Sequence, residues 1–247
     1  MQLHQFDGYI QQIYLVEHNQ KLMLLDGCCR ADVKPVLSYI TQTLKLPVQN
    51  LEKVVVTHMH PDHAGGADKL RKITGCKLIG ANVEGHWYQG IDGYFMHLTD
   101  MALARWVGKR IGKGKRKIRY ARKLSFDILL NDQDAIPGFE EWRVLFTQGH
   151  TDRDLSVYHQ ESKQVYIADL LVSVKGQFIP PFPVFYPNRY KRSIAKLEAL
   201  DVEHVLFAHG GKQQKSALDF PLINQLAPKE PQTHWRSVKK KLFKSLS

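Results

Sequence analysis

A chain of 247 residues, 43% of them hydrophobic, is long enough to bury a substantial core as one large domain or two small ones. No apolar run approaches the ~20 residues that a membrane-spanning helix needs, and residues 1–7 lack the basic start and apolar core of a signal peptide. The formal charge of +11 is local: residues 105–123 and 228–247 carry it, the rest is slightly acidic, and a polyanion-binding surface over the whole molecule is not expected.

In chain order, Tyr9-Ile10 and Ile13-Tyr14-Leu15-Val16 predict a strand, and residues 21–25 its antiparallel neighbour, with Glu17-His18-Asn19-Gln20 as the turn. Asp26-Gly27 closes that second strand. Cys28, Cys29 and Cys76 are odd in number and lack zinc-finger spacing, so reduced thiols in a cytoplasm are expected. Residues 31–44 predict a helix with Val33, Val36, Leu37, Ile40 and Leu44 on one face, and residues 54–57 a strand.

Directly after Val54-Val55-Val56 comes Thr57-His58-Met59-His60-Pro61-Asp62-His63-Ala64-Gly65-Gly66. It packs three imidazoles and a carboxylate into a few residues, the ligand set that zinc and similar divalent ions favour. Alternation at a strand end aims His58 and His60 the same way. A following turn would swing Asp62 and His63 to a second position, which suits two adjacent metals better than one. A surface histidine cluster is the bland alternative, and it leaves the buried-looking strand and the glycine pair unexplained.

A short helix over 67–74 and a strand over 77–80 follow. Residues 84–122 change character, being rich in aromatics and glycine and then in lysine and arginine. They predict an inserted helical lid, with Phe95, Leu98, Met101, Ala102 and Trp106 as its apolar stripe and Arg105, Lys109 and Arg110 beside it. Residues 126–130, 142–147, 155–159 and 165–168 predict strands. The prolines within 179–183 force an irregular loop. A helix over 190–200 and a last strand over 204–208 complete the order, with no internal repeat. Three more donors stand where strands end: His150, Asp169 and His209.

With these residues the sequence resembles the metallo-β-lactamase-fold hydrolases. Their signature is His-x-His-x-Asp-His, then a Gly-His, an Asp after an apolar strand, and a late His, matched here over roughly residues 8–211. The resemblance implies an α+β fold, an αββα sandwich of two mixed β-sheets flanked by helices. It places the hydrolase domain at 1–227, with the lid inserted at about 84–122 and a basic tail at 228–247. It also implies that His58, His60 and His150 hold one metal ion, that Asp62, His63 and His209 hold a second, and that Asp169 bridges them. Two divalent ions are expected as cofactors, zinc first, with iron and manganese as alternatives for a nitrogen and oxygen ligand set. Asp26 matches the acidic residue that orients a metal ligand in the family, although Asp26-Gly27-Cys28 replaces the usual Asp-Thr-Gly. Around His150 the chain reads Gln-Gly-His-Thr-Asp-Arg-Asp-Leu-Ser where many relatives have Pro-Gly-His-Thr-Pro-Gly-Ser, which alters the loop but removes no ligand.

The expected chemistry is hydrolysis, by hydroxide that two ions make available near neutral pH and that Asp62 orients. Tyr186 and Tyr190 are candidate donors to a substrate carbonyl, packing being the alternative for both, and Trp106 is a candidate substrate contact on the lid. The expected substrate is a small ester, thioester or lactone, amphipathic or anionic. The stretch after His209 is short for the helical domain of glyoxalase II enzymes, which directs the expectation to the glyoxalase-II-like group that includes lactonases. The alternative is a phosphodiesterase or nuclease whose basic segments contact a polyanion. It is disfavoured because the flexible arm and His-x-Ser/Thr element of tRNA-processing relatives are not found, so nucleic acid is not expected as a partner. In the tail, Trp235, Val238, Leu242 and Leu246 fall at helical spacing among Arg236, Lys239, Lys240, Lys241 and Lys244. That outlines a basic amphipathic helix for an anionic membrane surface, with docking on the protein itself or a disordered tail as alternatives. Oligomeric state is open on this sequence.

Overall fold

A computed structural model describes residues 1–233. The expected amphipathic helix around Trp235, Val238, Leu242 and Leu246 lies outside the described residues. The chain forms two compact units that divide after Val144.

The first unit is built on a six-stranded mixed sheet of β1 (Gln2–Asp7), β2 (Gln12–His18), β3 (Lys21–Leu24), β4 (Leu51–Val55), β5 (Lys77–Ala81) and β6 (Ile128–Leu130), in that spatial order. β1 is unexpected from sequence because it is a largely exposed edge strand with no apolar alternation. Residues 8–11, part of which was expected as strand, turn instead, with the Gly8 amide on the Gln11 carbonyl at 2.7 Å. The β2–β3 turn is Asn19-Gln20, with φ of 50° and 65°, the left-handed pair that suits the twist of a two-residue hairpin. β3 through β6 run parallel, and the apolar residues of β3, β4 and β5 are buried on both faces, while the edge strand β6 leaves Leu129 exposed.

The helix expected over 31–44 is broken into three pieces. A 3₁₀ turn at Arg30–Asp32 leads into α1 (Val33–Ser38), and a π turn at Tyr39–Thr43 ends it. Pro35 has no N–H and fits only a first helical turn, which fixes where α1 begins. Val33, Val36 and Ile40 still pack into the core. After β4 come α2 (Pro61–Ala64) and α3 (Ala67–Thr74), the latter capped by Gly75 in the left-handed region at φ 79°.

The segment between β5 and β6 carries α4 (Gly90–Arg110), a helix as expected, and most of the expected apolar stripe faces outward and not into the core. Of its residues only Met101 is buried; Phe95, Leu98, Ala102 and Trp106 face outward. The buried face is Gly93, His97, Asp100, Met101, Ala104 and Gly108. Small residues let the helix approach closely and two polar ones find buried surroundings, which an apolar-periodicity rule does not detect. The unit closes with the hairpin of β7 (Ala135–Ile136) and β8 (Phe139–Phe146), whose last two residues belong to the second unit.

The second unit continues with β9 (Leu155–His159), β10 (Gln164–Tyr166), β11 (Val172–Val174), β12 (Gln177–Ile179), α5 (Pro187–Ala199), β13 (His204–Phe207), β14 (Gly211–Gln214) and α6 (Phe220–Leu226). The second sheet has the order β14-β13-β10-β9-β8-β7; it is mixed, since β10 and β13 are parallel and their other neighbours antiparallel. Val165, Ile167, Tyr190, Ile194, Leu197, Val205 and Phe207 form its local core. The short strands β11, β12 and β14 and the helix α6 were not legible in the sequence. No described helix is long and apolar enough to cross a membrane.

Candidate metal centre

In the first unit the chain leaves β4 through Val56 and Thr57 and reaches His58, His60, Asp62 and His63, all buried. Gly27 lies so close beneath α2 that a Cβ there would meet the His63 carbonyl oxygen, and its amide donates to that oxygen at 2.7 Å. Asp26 organises the group. Its Oδ2 accepts from the Thr57 hydroxyl at 2.8 Å and from His63 Nδ1 at 2.6 Å, and its Oδ1 faces the amides of Gly27 and Thr57 at 3.0 and 3.2 Å. These bonds set tautomers. With its proton given to Asp26, the Thr57 oxygen is an acceptor for His58 Nδ1 at 3.2 Å, which leaves His58 Nε2 as a lone pair. His63 Nε2 is likewise left to face Asp62 Oδ2 at 3.4 Å.

His60 is turned the other way. Its Nε2 lies 3.6 Å from Asp100 Oδ2, and its Nδ1 lies 3.0 Å from His58 Nε2. The two nitrogens are hydrogen-bonded to one another through a proton on one of them, and a cation can take that proton's place. A tetrahedral zinc with Zn–N bonds of about 2.0–2.1 Å holds neighbouring nitrogens about 3.3 Å apart. The pair therefore fits a metal. Asp100 itself is fixed by the Tyr88 hydroxyl at 2.8 Å, while Tyr120 donates to the Met59 carbonyl between the two histidines at 2.5 Å.

In the second unit β8 runs out through Thr147, Gln148 and Gly149 to His150. Gly149 has φ 151°, and a Cβ there would stand 2.5 Å from the Tyr190 Cα, so only glycine fits. Buried Asp154 braces this loop, accepting from the amides of Gly149 and Thr151 at 3.0 and 2.6 Å and from the Thr151 hydroxyl at 2.6 Å. Burial pushes its carboxyl up, while the nearby His150 ring and these bonds pull it back. His150 Nδ1 donates to the Pro183 carbonyl at 2.5 Å, which leaves Nε2 facing Asp169 Oδ2 at 3.7 Å. The other oxygen, Asp169 Oδ1, lies 3.4 Å from His209 Nε2. One carboxylate thus directs one oxygen at each of two histidines.

His58, His60, Asp62 and His63 in the first unit, and His150, Asp169 and His209 in the second, are His/Asp donors able to bind metal ions. The three candidate substrate residues differ in their surroundings. Tyr190 is fully buried in α5 with its hydroxyl on the Leu170 carbonyl at 3.0 Å, so it is a packing residue and not a substrate donor. Tyr186 precedes α5, partly exposed beneath the Arg189 guanidinium. Trp106 lies on the outward face of α4, away from the face that carries Asp100 to His60. Asp100, Asp154 and the Pro183 carbonyl were missed from sequence. A signal for Asp100 existed in the Gly93, His97, Asp100, Ala104, Gly108 spacing, which is helical but not apolar.

Residues 7–209 match the family model of the metallo-beta-lactamase superfamily. The chain belongs to that superfamily. Among curated relatives, the probable metallo-hydrolase YqjP of Bacillus subtilis is 25% identical over 214 residues, 80% of this chain and 66% of that protein. A hydroxyacylglutathione hydrolase of Hyphomonas neptunium is 38% identical over 61 residues, 25% of this chain and 23% of that protein. The chain thus spans less than two thirds of the length of either relative. Solved superfamily folds agree over far more of it. An archaeal metallo-beta-lactamase superfamily protein from Sulfolobus tokodaii superposes with a TM-score of 0.63 at 21% identity, covering 92% of this chain and 87% of that one. ETHE1 from Myxococcus xanthus gives 0.61 at 18% identity, covering 91% and 85%. The fold is the α+β metallo-β-lactamase sandwich.

Proposed function

We propose that this protein is a dinuclear-metal thioester hydrolase. In this reading His58, His60 and His150 hold one ion, Asp62, His63 and His209 hold the other, and Asp169 is shared. The observation that carries it is the paired aim of Asp169, one oxygen toward His150 and the other toward His209, beside histidines whose remote nitrogens are already committed to hydrogen bonds. Bound divalent ions supply an acidified water and a Lewis acid for the carbonyl, chemistry that no side chain here provides alone. The chain's own residues fix tautomers and geometry. Asp26 keeps His63 Nε2 unprotonated, the Pro183 carbonyl does the same for His150, and the Asp100 carboxylate stands 3.6 Å from His60 Nε2. Asp62 orients the attacking water and accepts its proton.

Thioester is preferred over ester or lactone because relatives named hydroxyacylglutathione hydrolase act, by that name, on an acylated thiol. Zinc is the ion we expect, and the cytoplasm the location. A small anionic acyl thioester is the substrate class. The test is a panel of acyl thioesters, lactones, phosphodiesters and β-lactams with purified protein, in metal-loaded and chelated form, with His60→Ala as control. Thioester hydrolysis that disappears on chelation and in His60→Ala is expected. A preference for phosphodiesters, or turnover that survives chelation, overturns the reading.

A further inference from the structure

Helix α4 is reversed relative to an ordinary surface helix. It buries small and polar residues and turns its apolar ones to solvent. At 100° per residue, Ile91, Tyr94, Phe95, Leu98, Ala102 and Trp106 share one arc of about 120°. Ile91 is 76% exposed, Phe95 60% and Trp106 56%. Arg105 and Lys109 continue that arc at the carboxyl end, Arg110 covers the Trp106 ring at 5.2 Å, and Arg122 lies 6.0 Å from the Tyr94 ring. Beyond the helix, Lys113, Lys115, Arg116, Lys117 and Arg119 are all exposed. Arg116 and Lys117 also line a cavity of about 450 Å³ with Arg30, Lys34 and Lys69, so the positive field extends onto α1 and α3. The acidic side chains of α4 itself are Asp92 on its flank and Asp100, which is buried.

An exposed apolar stripe of this length marks a contact surface, and the charge beside it selects the occupant. The basic segment at 228–247 would be repelled. A second copy of α4 would bring two basic segments together. A nucleic acid would leave aliphatic Ile91 and Leu98 without partners. An anionic bilayer satisfies both features at once: aromatic and aliphatic side chains enter the boundary between headgroups and acyl chains, while lysine and arginine stay at the phosphates. We propose that α4 and the basic segment after it dock this protein on an anionic phospholipid surface, with Ile91, Phe95, Leu98 and Trp106 as the inserted residues.

The experiment is cosedimentation of the full chain with phosphatidylcholine vesicles, with and without phosphatidylserine, at low and high salt. Three variants accompany the wild type: Phe95→Glu/Trp106→Glu, Lys109→Glu/Lys113→Glu, and a deletion of residues 234–247. All the substituted side chains are exposed, and metal content and thermal unfolding check that the fold is kept. Binding is expected only with phosphatidylserine, weakening as salt rises. Each double substitution should lower the partition coefficient by about tenfold or more, and the deletion should retain binding. Equal binding to neutral vesicles, no binding, or binding lost with the tail but kept in Phe95→Glu/Trp106→Glu overturns the proposal. So does a lipid-free dimer, or retention of RNA without lipid binding, that is abolished by Phe95→Glu/Trp106→Glu.

Discussion

Asp100 lies 40 residues beyond His60 in the chain, yet its carboxylate stands 3.6 Å from His60 Nε2 and is held there by Tyr88. A carboxylate behind a metal-binding imidazole sets its tautomer and raises its basicity. Asp100→Asn is therefore expected to weaken metal binding by roughly ten- to a hundredfold, read by competition with a chromophoric chelator. Unchanged affinity would remove Asp100 from the centre. A second buried carboxylate makes a pH prediction. Burial raises Asp32 from 3.8 to about 6, against the pull of the Tyr9 and Cys29 amides. The folded state then keeps a proton that the unfolded chain has already lost. This group has no effect below about pH 4, lowers stability as pH rises from about 4 to 6, and is constant above, a total of about 3 kcal/mol. Denaturation midpoints of chelated wild type and Asp32→Asn, compared across that window, should converge at its acid end and diverge toward neutrality. Parallel curves would contradict it.

At the scale of elements, α4 shows how a helix is seated by what it lacks. Gly93 packs on the backbone of Tyr88, where an added Cβ would lie 2.3 Å from the carbonyl carbon. Gly93→Ala gains about 1 kcal/mol of helix propensity, but overpacking costs about 1–3 kcal/mol and here the neighbour is backbone that cannot rotate away. A net loss of stability is expected, with faster amide exchange along α4 and loss of the Tyr88–Asp100 bond. A variant as stable as wild type would show that this contact relaxes freely. The same helix shows the limit of apolar spacing as a sign of burial. Phe95, Leu98 and Trp106 recur at helical spacing, which ordinarily marks a core face. The buried stripe is instead Gly93, His97, Asp100, Ala104 and Gly108, selected by close approach and by the polar network under His60. By contrast α3 and β9 lie where expected, because continuous apolar faces and a glycine stop are local signals.

At the scale of the whole molecule, the proposed metal centre would link metal occupancy to folding. Loading the chelated protein should raise its stability by about 4 kcal/mol at free metal a thousandfold above Kd. The gain is read as a rise in Tm, and His60→Ala or His209→Ala should lose most of it. An equal rise in either variant would mean that the ion sits elsewhere. The sequence by itself determined the superfamily and nominated seven candidate donors, because ligand chemistry and strand-end placement are written locally in His58-Met59-His60-Pro61-Asp62-His63 and in the apolar runs before His150, Asp169 and His209. Tertiary structure alone decided which nitrogen His63 and His150 present, through Asp26 and the Pro183 carbonyl. It also decided which side of α4 is covered, and the burial of Tyr190. Those outcomes depend on partners distant in the chain, and neither residue type nor spacing records which distant partner a side chain will meet.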